Sequence, residues 1–71
     1  MKLYINENIR YLRLKNNITQ KELSSKVTTT YRGIISYERK ERVPRIEHIV
    51  ELAAFFNVTL DDIVLKDLSK E

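Results

Sequence analysis

A chain of 71 residues, 42% hydrophobic and 32% charged, is the size of one small globular domain and leaves no room for a second of ordinary length. With no cysteine and a single histidine, disulfide scaffolds, thiolate zinc sites and His-based metal sites are all excluded. The net charge of +3 conceals an asymmetry: residues 1–45 hold 11 Lys/Arg and 4 Asp/Glu, net +7, whereas residues 46–71 hold 2 and 6, net −4.

A basic half of this kind is a sign of a polyanion-binding surface, the alternative being a mixed solvated one that only motifs can decide against. One Gly and one Pro are too few for the turns of a sheet, so the expected fold class is all-α, helices joined by short polar turns. The longest unbroken apolar run, Leu52 to Phe56, is far too short to span a membrane. The N-terminus carries no apolar stretch of the signal-peptide kind, and the expected location is the cytoplasm. No cofactor, metal or small-molecule ligand is called for, and no nucleophile–base set of an enzyme is visible.

The first predicted helix places Ile5, Ile9 and Leu12 on one face, with Asn6, Arg10, Arg13 and Lys15 on the other. Asn16-Asn17 ends it, because Asn tolerates the left-handed conformation. Thr19-Gln20-Lys21-Glu22 reads as a capping box, with Ile18 placed to staple onto Leu23. The second helix, carrying Leu23 and Val27, is short and ends near Val27. Three threonines in a row, Thr28 to Thr30, form the next break, with Thr30 the N-cap of a third helix running to about Tyr37.

In that third helix Ile34 and Tyr37 face inward, while Tyr31, Arg32, Ile35 and Ser36 face out. Gly33 inside it is either a sign of a closely approaching partner or a tolerated defect. Arg39 to Val43 is a charged loop. Pro44 suits the start of a fourth helix, with Ile46, Ile49, Leu52, Ala53 and Phe56 as its inward stripe and Asn57 as its stop. Thr59-Leu60-Asp61-Asp62 caps a last short helix in which Ile63 packs inward. His48, beside Glu47 and near Glu51, reads as a surface histidine. Val64, Leu65 and Leu68 form either a dimer patch or a cover for the core. The chain is thus a single domain over 1–71, its core at about 4–64 and a short tail at 65–71.

The second and third helices with their brief turn make a helix-turn-helix, an arrangement in which the second helix stands free to enter the DNA major groove. From there the chain resembles the phage-repressor (Xre/Cro-type) helix-turn-helix family. The matching residues are Ile9, Leu12-Arg13, Ile18-Thr19-Gln20, Leu23, Thr30, Ile34, Tyr37-Glu38-Arg39, Arg42, Pro44, Leu52-Ala53, Phe56-Asn57-Val58 and Leu60-Asp61. They cover roughly residues 4 to 64.

The resemblance implies a compact five-helix domain with a DNA-reading third helix, and a homodimer on two half-sites of double-stranded DNA. It assigns base reading to Tyr31, Arg32, Ile35 and Ser36. Phosphate contacts fall to Thr19, Gln20, Thr30, Arg39, Lys40, Arg42 and Arg45, and Arg13 and Glu38 form a structural ion pair. The implied function is sequence-specific transcriptional regulation, as a repressor. The alternative is a protein-interaction module on the same fold, an antitoxin or anti-regulator. Three positions depart from the family pattern. Thr28 stands where the family has a left-handed glycine, so strain is expected there. Ser24 replaces Ala, and Ile35 replaces a polar residue on the outward face.

Overall fold

The hydrophobic periodicity becomes five α-helices in the computed structural model, which describes residues 1–71: α1 (Ile5–Lys15), α2 (Gln20–Lys26), α3 (Tyr31–Glu38), α4 (Ile46–Phe56) and α5 (Leu60–Leu65), followed by a 3-10 turn at Leu68–Lys70. One core joins them, built from Ile5, Ile9, Leu12, Leu23, Ile34, Tyr37, Ile49, Leu52, Ala53 and Ile63. Central α1 packs against α3, α4 and α5, and α2 lies against α3. That placement explains why the polar face of α1 is not wholly exposed. Asn6 is half-buried and Arg13 buried, because both flanks of α1 meet neighbours.

Threonine hydroxyls start three of the helices. Thr19 accepts from the Glu22 N–H at 3.0 Å, while Glu22 accepts from the Thr19 N–H at 2.8 Å, completing the capping box. Thr30 and Thr59 cap α3 and α5 in the same way, accepting from Gly33 and Asp62.

Left-handed residues end three helices: Asn17 (φ 57°), Lys40 (φ 63°) and Asn57 (φ 58°). In each case the next residue's N–H reaches five residues back, as Ile18 to Arg13, Glu41 to Ser36 and Val58 to Ala53. This pairing closes the orphan carbonyls of a helix end. The two asparagines match expectation, whereas a lysine in this conformation had no signal in the sequence.

Two core assignments change. Ile46, expected inward, is 64% exposed. It opens α4, and a helical side chain leans toward the N-terminus, which here carries Ile46 past the edge of the core. In the opposite sense, Val64 and Leu68 are half-buried against the core, so of the three residues in the expected patch Leu65 alone is exposed. The buried Asn8 draws the tail in: its Nδ2 donates to the carbonyls of Ile63 (2.8 Å) and Lys66 (2.6 Å), and its Oδ1 accepts from the Leu68 N–H (3.1 Å). No helix is long and apolar enough to cross a membrane.

Candidate nucleic-acid interface

Helix α3 is held from beneath. Ile34 and Tyr37 are fully buried, and the rotation this fixes leaves Tyr31 and Arg32 exposed, with Ile35 and Ser36 half-buried beside them. Arg32 makes no side-chain hydrogen bond or ion pair, so its five N–H donors face outward unused.

The C-terminal end of α3 is fixed by charge. Arg13 grips Glu38 through two parallel hydrogen bonds, Nε to Oε2 at 2.7 Å and Nη2 to Oε1 at 2.9 Å, and its Nη1 donates to the Ile18 carbonyl at 2.9 Å. Only 10% and 5% of the two side chains remain exposed. The hydrogen bond to Glu38 raises the Arg13 pKa further above its ordinary value, with burial opposing it. Gln20 joins the pair, its Nε2 donating to Glu38 Oε1 at 3.1 Å. That leaves one amide N–H and the carbonyl oxygen of Gln20 for an outside partner. Asn6 continues the tie, donating to the carbonyls of Tyr37 (2.8 Å) and Arg42 (2.9 Å) and so anchoring the charged loop to α1.

The residues assigned to phosphate differ in how free they are. Arg39 is exposed and unpaired. Arg42 lies over the Tyr37 ring, 5.7 Å from its centroid. Arg45 sits 3.7 Å from Glu47 at the surface. Lys40 reaches back to Glu7 at 3.4 Å. Burial pushes the Glu7 carboxyl up, but its own backbone N–H, the hydrogen bond from Lys40 and the charges of Lys40 and Lys2 outweigh this and hold it below the usual range. The hydroxyls of Thr19 and Thr30 accept capping bonds and keep their own protons to donate.

The turn between α2 and α3 departs from expectation. Thr28 is not left-handed, since the positive-φ residues lie elsewhere. An extended Val27 (φ −131°, ψ 171°) leads into the turn instead, and Glu51 of α4 accepts from both the Thr28 N–H (2.8 Å) and the Thr28 hydroxyl (2.9 Å). Gly33 is explained inside the chain: a Cβ there would come within 2.9 Å of the Thr29 methyl. The close neighbour is thus the protein's own turn. His48 is not a free surface residue. It is half-buried, with Nδ1 2.8 Å from the Tyr37 hydroxyl. Glu51 and His48 were not assigned to the site from sequence; their i, i+3 spacing on a largely apolar helix was the one available signal.

The helix-turn-helix family model matches residues 9–63. The chain belongs to the phage-repressor (Xre/Cro-type) helix-turn-helix family. An uncharacterised HTH-type transcriptional regulator of Methanocaldococcus jannaschii is 30% identical over 57 residues, 80% of this chain and 86% of that protein. Among solved structures, the P22 c2 repressor in complex with a synthetic operator superposes with a TM-score of 0.80 at 28% identity, over 89% of this chain and 96% of that one. The SOS-response repressor LexA of Eubacterium rectale (TM-score 0.82, 20% identity, 90% and 68% covered) shares the fold. So does a transcriptional regulator of Listeria innocua (TM-score 0.82, 22% identity, 99% and 71% covered).

Proposed function

We propose that this chain is a sequence-specific double-stranded DNA-binding transcriptional regulator, a repressor, that inserts α3 into the major groove and works as a homodimer. The observation that carries the reading is the two-sided character of α3: Ile34 and Tyr37 are locked into the core while Tyr31 and the unpaired Arg32 project outward. A planar guanidinium fits the O6 and N7 acceptors of guanine, and Ile35 or the Tyr31 ring suits a thymine methyl. Arg39, Lys40, Arg42 and Arg45, with Thr19, Gln20 and Thr30, then meet phosphates on either side. The P22 c2 repressor, a structural neighbour solved in complex with a synthetic operator, supports the same use of the fold. Exposed Phe55, Leu60 and Leu65, at the end of α4 and along α5, supply apolar surface for the second protomer.

The test is selection of bound sites from a random duplex pool with purified protein. A dimer yields paired half-sites with centres about 34–36 Å apart, or a multiple of this. Arg32→Ala should relax one base position and cost about 1–3 kcal/mol on the preferred site. Arg45→Ala should weaken all sequences evenly. No enriched sequence from the pool would remove the proposal. A second reading, a protein-interaction module, draws on Val43 in the loop before α4 and Ile46 and Val50 in its first half, exposed by 69%, 64% and 47%. A protein that co-purifies and stays bound at high salt, together with no enriched duplex, would favour it.

A further inference from the structure

A helix that reads DNA must be held at a defined angle, and a turn without a left-handed residue needs another means of holding it. Between α2 and α3 none of the three threonines has a positive φ. Thr29 is 2% exposed and its hydroxyl is buried without a partner, and the Thr30 hydroxyl is taken up in capping α3, so neither ties the turn to another helix. The anchor comes from α4. A single oxygen, Glu51 Oε1, accepts both the backbone N–H and the hydroxyl of Thr28, 23 residues away in the chain. One helical turn earlier, His48 Nδ1 meets the Tyr37 hydroxyl near the far end of α3. These two contacts are the side-chain hydrogen bonds that join α4 to the helix-turn-helix, and they grip α3 just before its start and at its last turn.

We propose that Glu51 is a positioning residue for the recognition helix, fixing the angle at which the chain enters α3 and thereby the bases its first turn can reach. The proposal rests on the DNA-binding reading given above. Hydrogen bonds to a carboxylate are among the stronger ones, and both here converge on one oxygen. A glutamine carbonyl can accept the same two bonds without the charge. Comparing Glu51→Gln with Glu51→Ala therefore separates geometry from charge, because both variants remove the same negative charge.

The experiment measures affinity for the duplex selected by the wild-type protein and for a scrambled duplex of equal length, at one salt concentration. Glu51→Gln should keep the wild-type ratio between the two duplexes. Glu51→Ala should lower that ratio about tenfold, as expected for the loss of hydrogen bonds to a charged group, while matching Glu51→Gln on the scrambled duplex. An Ala variant with the ratio of the Gln variant would overturn the proposal. Amide hydrogen exchange of the free proteins gives a second measure. Glu51→Ala should speed exchange at Thr28 and in the first turn of α3, leave α1 and α5 protected, and be rescued by Glu51→Gln. Unchanged exchange at Thr28 would likewise overturn it. If the wild-type protein prefers no duplex, the DNA reading fails by itself, and the exchange comparison still decides whether Glu51 holds the turn.

Discussion

Lys40 shows how a single residue can work against the stability of its own helix end. It occupies the left-handed position after α3 at φ 63°, where a side chain costs about 1–2 kcal/mol that glycine does not. Its ion pair with Glu7 offsets little, because the Lys40 side chain is 60% exposed. Lys40→Gly should therefore raise stability by about 1 kcal/mol, read as a higher melting temperature. An unchanged or lower value would mean that the lysine is better accommodated than its backbone angle implies.

Glu22 makes a second prediction at this scale. The backbone N–H and then the side chain of Thr19 hold its carboxyl below the ordinary 4.5. A folded value below the unfolded one gives stability that is complete above about 4.5 and is lost as pH falls through the folded value. Acid titration followed by NMR should show the Thr19 and Glu22 amides moving together, and Glu22→Gln should abolish that shared step. Residues such as these caps were legible because a threonine and a glutamate three apart satisfy each other locally. His48, Asn6 and Glu51 were not, because their partners lie 11 or more residues away and depend on how whole helices pack.

At the level of elements, α3 depends on one missing methyl group. Glycine inside a helix ordinarily costs about 1 kcal/mol relative to alanine. Here Gly33→Ala should destabilise instead, since the new Cβ would meet the Thr29 methyl at 2.9 Å in a buried turn. Thr29→Ser deletes that methyl. In the double variant the alanine should become neutral or favourable, a coupling that chemical denaturation of the four proteins would measure. Additive effects would show that the turn relaxes freely. The boundaries of α2 and α3 followed from short-range chemistry, namely the caps at Thr19 and Thr30 and the β-branched break between the helices. Thr28 is not in the expected left-handed conformation, and its hydrogen-bond partner Glu51 sits on α4, 23 residues away in the chain.

For the molecule as a whole, the division of charge along the chain becomes a division among its elements. The basic loop from Arg39 to Arg45 follows α3, while the acidic residues gather on α4 and α5. Each phosphate neutralised on duplex DNA contributes a slope of about −0.9 to log K against log salt. Four cations in this loop should therefore give a slope of about −4 per protomer, and Arg45→Ala should reduce it by about one unit. A flat salt response would show that the loop does not meet the duplex. The fold was readable because the apolar spacing, caps and stops all point to one arrangement. The freedom of Lys40 was not readable, since Glu7, on α1, comes to it only in the folded chain.

Asn8 has a consequence for anything attached to this domain. Its three hydrogen bonds, with the Tyr4 N–H donating to the Val64 carbonyl at 2.7 Å, stitch the beginning of the chain to its end. A linker, tag or fused module at either terminus would thus depart from the same corner, where α1 meets α5. Cargo added there can be exchanged without rebuilding the helix that faces outward.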